Sequence, residues 1–183
     1  VPNIRYVVDS GLARVKRYSY RNKVEQLQIE SISQAAANQR AGRCGRVSDG
    51  ICIRLYSEQD YINRPKFTDP EILRSSLAAV LLRMSSLRLP RIQEFPFIDK
   101  PLGRAIADGV QLLDELGAIV YDEDSAGDNK DINNSFKLTP TGKQLAELPL
   151  DPRIGRMLLA AKEQNALREV TIIASALATQ DPR

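Results

Sequence analysis

Residues 102–122, LGRAIADGVQLLDELGAIVYD, carry a helical pattern that passes directly into a strand, and this stretch decides the fold of the chain's second half. Its apolar residues recur on one helix face: Ile106, Val110, Leu113 and Leu116. Gly117 is typical of a helix end, and the apolar AIVYD after it predicts a short strand. FKLT at 136–139 predicts a second strand. The stretch therefore predicts a helix followed by a small hairpin.

A further helix is predicted before this stretch. Asp69 is a helix-capping residue type, and Pro70 suits the first helical position. Apolar residues then recur at helical spacing: Leu73, Leu77, Val80, Leu81, Met84 and Leu87. Two helices followed by a small hairpin resemble a winged-helix module.

The last part of the chain is predicted to be helical. Thr139 and Pro140 start one capped helix, and residues 150–164 and 167–179 indicate two more. The acidic and polar segment 122–135, between the two predicted strands, is expected to be flexible. We expect a helical domain to begin after the winged-helix module.

The first third of the chain has an α/β pattern. Residues 4–8 and 50–57 are apolar segments typical of strands in a parallel sheet. Ser33 can cap a helix that continues through residues 34–42. Because a single buried strand has no partner of its own, we expect the chain to start inside a domain.

Positive charge is concentrated here, since residues 1–56 hold 10 Lys and Arg against 4 Asp and Glu. Residues 12–30 predict a hairpin whose first strand mixes basic and aromatic side chains: Arg14, Lys16, Arg17, Tyr18 and Tyr20. Alternation places all of these except Arg17 on one side of the strand. Such a surface suits single-stranded nucleic acid, but a solvated edge hairpin carries similar charges. Composition leaves both interpretations open.

The stretch QRAGRCGR at 39–46 places three arginines at intervals of three residues and separates them with Gly42 and Gly45. Like charges and helical glycines each destabilise a helix, the glycines by about 1 kcal/mol. Arginine forks match phosphate oxygens, and glycine lets the backbone come close to a ligand. The stretch therefore indicates phosphate binding, with a basic surface helix as the alternative.

Several classes of site are not supported by the composition. The chain has no histidine, and Cys44 and Cys52 form neither a disulfide framework nor a zinc constellation, so we expect no metal site. Nucleophile chemistry that needs a Ser-His or Cys-His pair is excluded as well. No apolar run is long enough to span a membrane and the N-terminus resembles no signal peptide, so we expect a cytoplasmic location.

QRAGRCGR resembles motif VI of superfamily 2 helicases, and the whole chain resembles the DEAH-box RNA helicases, above all their bacterial HrpA-type members. The likeness continues in VVDSGLARVKRYSYR, in DPEILRSSLAAVLLRM and in LTPTGKQLAELPLDPRIGRML. It implies the α/β tail of a second RecA-like domain at 1–68, a mainly helical winged-helix domain at 69–146, and the first helices of a ratchet domain at 147–183.

The resemblance also implies residue roles. Gln39 would position the attacking water or the γ-phosphate, while Arg43 and Arg46 would act as arginine fingers on the triphosphate. Arg40 would support the motif by pairing with an acid, and Gly42 would let the backbone meet the nucleotide. Asp9 matches a position near the nucleotide and ribose, with turn capping as the equal alternative.

In that family a hairpin between motifs V and VI lies near single-stranded RNA, which favours RNA contacts for residues 12–30. ATP and Mg²⁺ would lie between two RecA-like domains. This sequence contains neither a P-loop nor a DEAH acid pair, so we expect the chain alone to be inactive. A winged-helix regulator that reads duplex DNA is the alternative, but Asp108, Asp114 and Glu115 give the predicted helix the wrong charge.

Overall fold

A computed structural model of the chain describes residues 3–121 and 136–179, which form two compact units divided between residues 75 and 76. The segment 122–135, predicted to be flexible, lies outside the described residues. Among the residues that the structure describes, no helix is long and apolar enough to cross a membrane.

The first unit contains a two-stranded parallel sheet. Strand β1 (Tyr6–Asp9) pairs with β4 (Ile51–Arg54), in a register that runs from Tyr6 beside Ile51 to Asp9 beside Arg54. Between these strands the chain forms a hairpin and helix α1 (Gln34–Ala41). The predicted strands and helix are thus confirmed, with the sheet strands shorter than expected.

The hairpin consists of β2 (Leu12–Ser19) and β3 (Val24–Ser31). It is antiparallel and in continuous register from Leu12 beside Ser31 to Ser19 beside Val24. The Ser33 hydroxyl accepts a hydrogen bond from the Ala36 amide at 3.2 Å, so the predicted cap of α1 is confirmed. Helix α2 (Glu58–Asn63) follows β4.

The predicted helix start at Asp69 and Pro70 is wrong. Residues Glu71–Leu73 form only a 3-10 turn, and Arg74 leaves the helical region with a φ of −127°. The physical reason is tertiary, because this segment pairs with the hairpin. The Arg74 carbonyl accepts from the Tyr18 amide at 2.8 Å, and the Asp69 carboxylate accepts from Arg17 at 2.8 Å. The regular helix α3 (Ala78–Ser86) begins after these contacts.

The second unit begins with two packed helices. Helix α4 (Gly103–Glu115) lies against α3, and the core between them includes fully buried Leu77, Leu82 and Leu113. Gly117 has a φ of +65°, which confirms the predicted end of α4. Strands β5 (Ile119–Tyr121) and β6 (Phe136–Leu138) then pair antiparallel, as the sequence predicts.

Three further helices complete the second unit. They are α5 (Pro140–Glu147), α6 (Pro152–Glu163) and α7 (Leu167–Ala178). The hydroxyl of Thr139 accepts from the Gly142 amide at 3.0 Å, so the predicted cap of α5 is confirmed. The backbone at Asn165, with a φ of +55°, separates α6 from α7.

Candidate functional site

The end of α1 carries the arginine stretch. Gln39 and Arg40 lie in the last helical turn, whereas residues 42–46, here called the arginine turn, leave the helix. Arg43 and Arg46 are exposed, as is Gln39. Within residues 3–121 and 136–179 these three side chains enter no ion pair and no hydrogen bond. Two permanently charged forks are therefore available to an anion.

Arg40 is instead engaged by contacts within the unit, although its side chain is 36% exposed. Its Nη1 donates to the Asp9 Oδ1 at 2.7 Å, and its Nη2 donates to the Leu12 carbonyl at 2.9 Å. The acid partner expected for Arg40 is therefore Asp9, so the expected pairing is confirmed, and the supporting role of Arg40 in the motif stays a prediction. The stretch separates into one arginine engaged within the unit and two that are exposed and unengaged.

Asp9 is 1% exposed and all its visible contacts are internal. Its carboxylate accepts from the Gly11 amide at 3.0 Å and from the Tyr56 hydroxyl at 2.9 Å, besides Arg40. Burial raises the pKa of Asp9, but these hydrogen bonds and the Arg40 charge outweigh it and hold the pKa below its ordinary value. The geometry supports turn capping, and the nucleotide contact of Asp9 stays a prediction.

Tyr56 and Arg64 complete this cluster, and sequence analysis did not identify either. The Arg64 guanidinium is 7% exposed, lies 3.9 Å above the centre of the Tyr56 ring and donates to the Gly11 carbonyl at 3.0 Å. A hydrogen bond from Arg64 to Asp60 at 2.7 Å, four residues earlier on α2, raises the pKa of Arg64. The four-residue spacing of Asp60 and Arg64, which suits an ion pair along a helix, was the one local sign in the sequence that Arg64 would have an acid partner.

Cys44, in the middle of the arginine turn, packs against the loop that follows the turn. This cysteine is buried, and its Sγ donates to the Ala41 carbonyl at 3.0 Å. Gly50 packs so closely that a Cβ there would overlap the Cys44 carbonyl oxygen. Cys44 is therefore a small buried thiol.

The hairpin presents part of the predicted RNA surface. Arg14 and Lys16 are exposed on one face, where Arg14 lies beside Ile29 and Lys16 lies beside Leu27. Lys16 also contacts Glu25 at 3.6 Å, an exposed pair of small energetic weight. These two cations therefore form an accessible positive edge.

The remaining hairpin residues differ from expectation. Tyr18 is 9% exposed, and its ring meets that of Tyr20 edge to face at 5.2 Å, so Tyr18 offers no open face to a base. At this position the Tyr18 amide also donates to the Arg74 carbonyl at 2.8 Å. Arg17 lies on the opposite face, bound to Glu30 at 2.9 Å and to Asp69, and fastens the hairpin.

Two family models match the chain in the second unit. The model "Helicase associated domain (HA2), winged-helix" matches residues 109–150, and "Helicase associated domain (HA2), ratchet-like" matches residues 151–182. The chain is 58% identical over its full length to the ATP-dependent RNA helicase HrpA of Escherichia coli K12. It is 56% identical to the HrpA homolog of Haemophilus influenzae, and in both cases it spans 14% of the relative.

The fold comparison agrees. A crystal structure of the Escherichia coli DEAH/RHA helicase HrpB matches 98% of this chain and 21% of that chain, with a TM-score of 0.79 and 29% identity. The predicted fold class, an α/β tail followed by winged-helix and ratchet elements, is confirmed. The chain therefore belongs to the DEAH-box RNA helicase family, and it carries that family's helicase-associated winged-helix and ratchet-like regions.

Proposed function

We propose that the chain is part of an ATP-dependent RNA helicase that couples NTP hydrolysis to translocation on RNA or to its unwinding. The observation that carries the proposal is the pair of exposed, unengaged guanidinium groups, Arg43 and Arg46, beside an internally held Arg40. The names of the relatives, ATP-dependent RNA helicases, support the same reaction. Because the chain spans 14% of those relatives, their activity comes to it only as a proposal.

Phosphoryl transfer is catalysed chiefly by positioning and charge stabilisation, and an arginine finger is worth about 10³ to 10⁵ in rate. Arg43 and Arg46 would contact the triphosphate, and Gln39 would orient the attacking water or the γ-phosphate. A Cβ added at Gly42 would come no closer than 3.4 Å to the nearest backbone atoms beyond its chain neighbours, so packing within this unit does not require a glycine there. The role of Gly42 would instead be to let the nucleotide approach the backbone.

Mg²⁺ would be held by residues outside this chain. Among the described residues there is no group of three His, Cys, Asp or Glu that could bind a metal ion. The donor set of the arginine turn is cationic, which fits nucleotide phosphates and not the metal. ATP would therefore lie between this unit and the first RecA-like domain, and the chain alone is expected not to hydrolyse it.

The hairpin would contact single-stranded RNA through Arg14, Lys16 and Tyr20. The domain limits 1–68, 69–146 and 147–183 and the cytoplasmic location stay predictions, as do the RNA roles of Arg17 and Tyr18.

The test is Arg46→Ala in the full-length protein. We expect kcat for ATP hydrolysis to fall at least about a hundredfold, because the charge is needed mainly in the transition state. Arg46→Lys should rescue little, since a point charge does not reproduce a planar fork. Arg5→Ala, which removes another exposed arginine from the same unit, is the matched control and should leave kcat unchanged.

RNA affinity measured without nucleotide should hardly change in Arg46→Ala. If the substitution weakened RNA binding and left kcat near its original value, the arginine turn would be a basic surface and the proposal would be wrong.

A further inference from the structure

Helix α1 is tied to the hairpin at both of its ends. At its start, two residues after β3, Ser33 caps the helix, so the hairpin leads into it along the chain. At its other end, Arg40 donates to the Leu12 carbonyl, where β2 begins. A displacement of the hairpin base therefore acts on both ends of α1.

We infer that Arg40 is a positioning residue that couples RNA contact at the hairpin to the placement of the arginine turn during ATP hydrolysis; this inference rests on the proposed function. Arg40 lies two residues before Gly42 and uses both terminal guanidinium nitrogens, Nη1 on Asp9 and Nη2 on Leu12. Because the guanidinium is planar and rigid, a shift of either partner disturbs the hydrogen bond to the other.

Asp9, the other partner of Arg40, and the turn after it are themselves held in place. Asp9 is also held by the Tyr56 hydroxyl, and Arg64 fills the space beside Gly11 while it binds the Gly11 carbonyl. Gly11 has a φ of +75°, and a Cβ there would lie 2.6 Å from the Tyr56 ring. The hairpin therefore leaves the sheet through a turn that Asp9, Tyr56 and Arg64 hold in place, so a displacement of its base disturbs these contacts as well as the bond to Arg40.

A comparable tie that avoids the hairpin provides the control. Arg54 on β4 donates to Asn38 Oδ1 on α1 at 2.8 Å and lies 4.3 Å above the Tyr61 ring. It connects α1 to the sheet and to α2, but no described contact links it to residues 12–31. Loss of Arg54 therefore weakens the support of the same helix without breaking the link to the hairpin.

The experiment measures steady-state ATP hydrolysis by the full-length protein with and without saturating poly(U). In Arg40→Gln and Arg40→Lys we expect the stimulation by poly(U) to fall by about fivefold or more, a typical size for coupling between sites. Basal kcat should fall less than stimulated kcat, and poly(U) affinity without nucleotide should be retained. Arg54→Gln should keep the stimulation of the unmodified protein.

Any of the following results would overturn the inference. Stimulation that survives in both Arg40 variants would show that the link is not used, and equal loss in Arg54→Gln would show a general weakening of α1. An unmodified protein without RNA-stimulated hydrolysis would instead refute the proposed function, and the inference with it. An Arg40→Lys variant that regained full stimulation would also contradict the argument, because one ammonium cannot hold both partners at once in the same fork geometry.

Discussion

The substitution Gly142→Ala tests the packing of the second unit. Gly142 lies in the first turn of α5, directly over the backbone of Ala118, which leads into β5. An added Cβ would overlap the Ala118 carbonyl oxygen and lie 2.9 Å from its carbon. Since the opposing atoms are backbone, no side-chain rotation can relieve the contact, and α5 or the strand must move.

The magnitude follows from the contacts that such a movement disturbs. Overpacking of this kind costs about 1–3 kcal/mol. The Thr139 amide donates to the Ala118 carbonyl at 3.0 Å, and the Thr139 hydroxyl donates to the Gly117 carbonyl at 2.7 Å. Each is worth about 1 kcal/mol, and better helix propensity returns up to about 1 kcal/mol. We expect a net loss of about 2–4 kcal/mol in the free energy of unfolding of this unit.

Native-state hydrogen exchange of the slowest amides in α4 and α5 measures this loss. Exchange in Gly142→Ala should be faster by about 30- to 1,000-fold. Gly103→Ala is the matched control, because no described atom lies within 4 Å of its added Cβ; it should leave exchange unchanged or slow it slightly. Equal exchange rates in the two variants would refute the close approach of α5 to Ala118.

Two further predictions concern the first unit. Replacing Arg14 and Lys16 together by alanine in the full-length protein should impair RNA unwinding more than RNA-free ATP hydrolysis, and it should make the salt dependence of RNA binding shallower by up to about two phosphate contacts. If the salt dependence of RNA affinity did not change, Arg14 and Lys16 would be solvated surface residues without phosphate contacts. The pKa of Asp9 is lower in the folded protein than its ordinary value of about 3.9. The Asp9 carboxylate therefore stabilises this unit at pH values above that ordinary pKa, and the stabilisation is lost as the pH falls through the folded pKa. In Asp9→Asn the free energy of unfolding should therefore depend less on pH from about pH 5 downward, as measured by hydrogen exchange in α1. The same pH dependence in the variant and the unmodified protein would contradict the lowered pKa of Asp9.

Helix ends and the hairpin were predictable because their causes are local. Ser33 and Thr139 accept hydrogen bonds from amides three residues ahead, so the capping residue and its partner lie in the same short stretch. The period-two alternation in residues 12–19 likewise depends only on neighbours along the strand. The exposed state of Arg43 and Arg46 also agreed with the phosphate-binding interpretation of the motif.

Prediction failed where a distant segment competed with a local signal. Asp69 and Pro70 are good helix starters, but the hairpin takes the Asp69 carboxylate and the Arg74 carbonyl, and the helix begins later. Tyr18, in the same paired region, is only 9% exposed, although alternation placed it on the side of the strand that carries Arg14 and Lys16. Local propensities of a few tenths to about 1 kcal/mol are smaller than the combined worth of such contacts.

The sequence by itself determined the family, the order of helices and strands and the presence of the arginine turn, because each is encoded in contiguous residues. Only the tertiary structure decided which arginine is engaged within the unit. Asp9 meets Arg40, Tyr56 and the turn held by Arg64 through contacts that join residues 31, 47 and 53 positions apart. Closing such loops costs chain entropy that no single pair repays, so these contacts exist only when the strands and helices have already been brought together by packing.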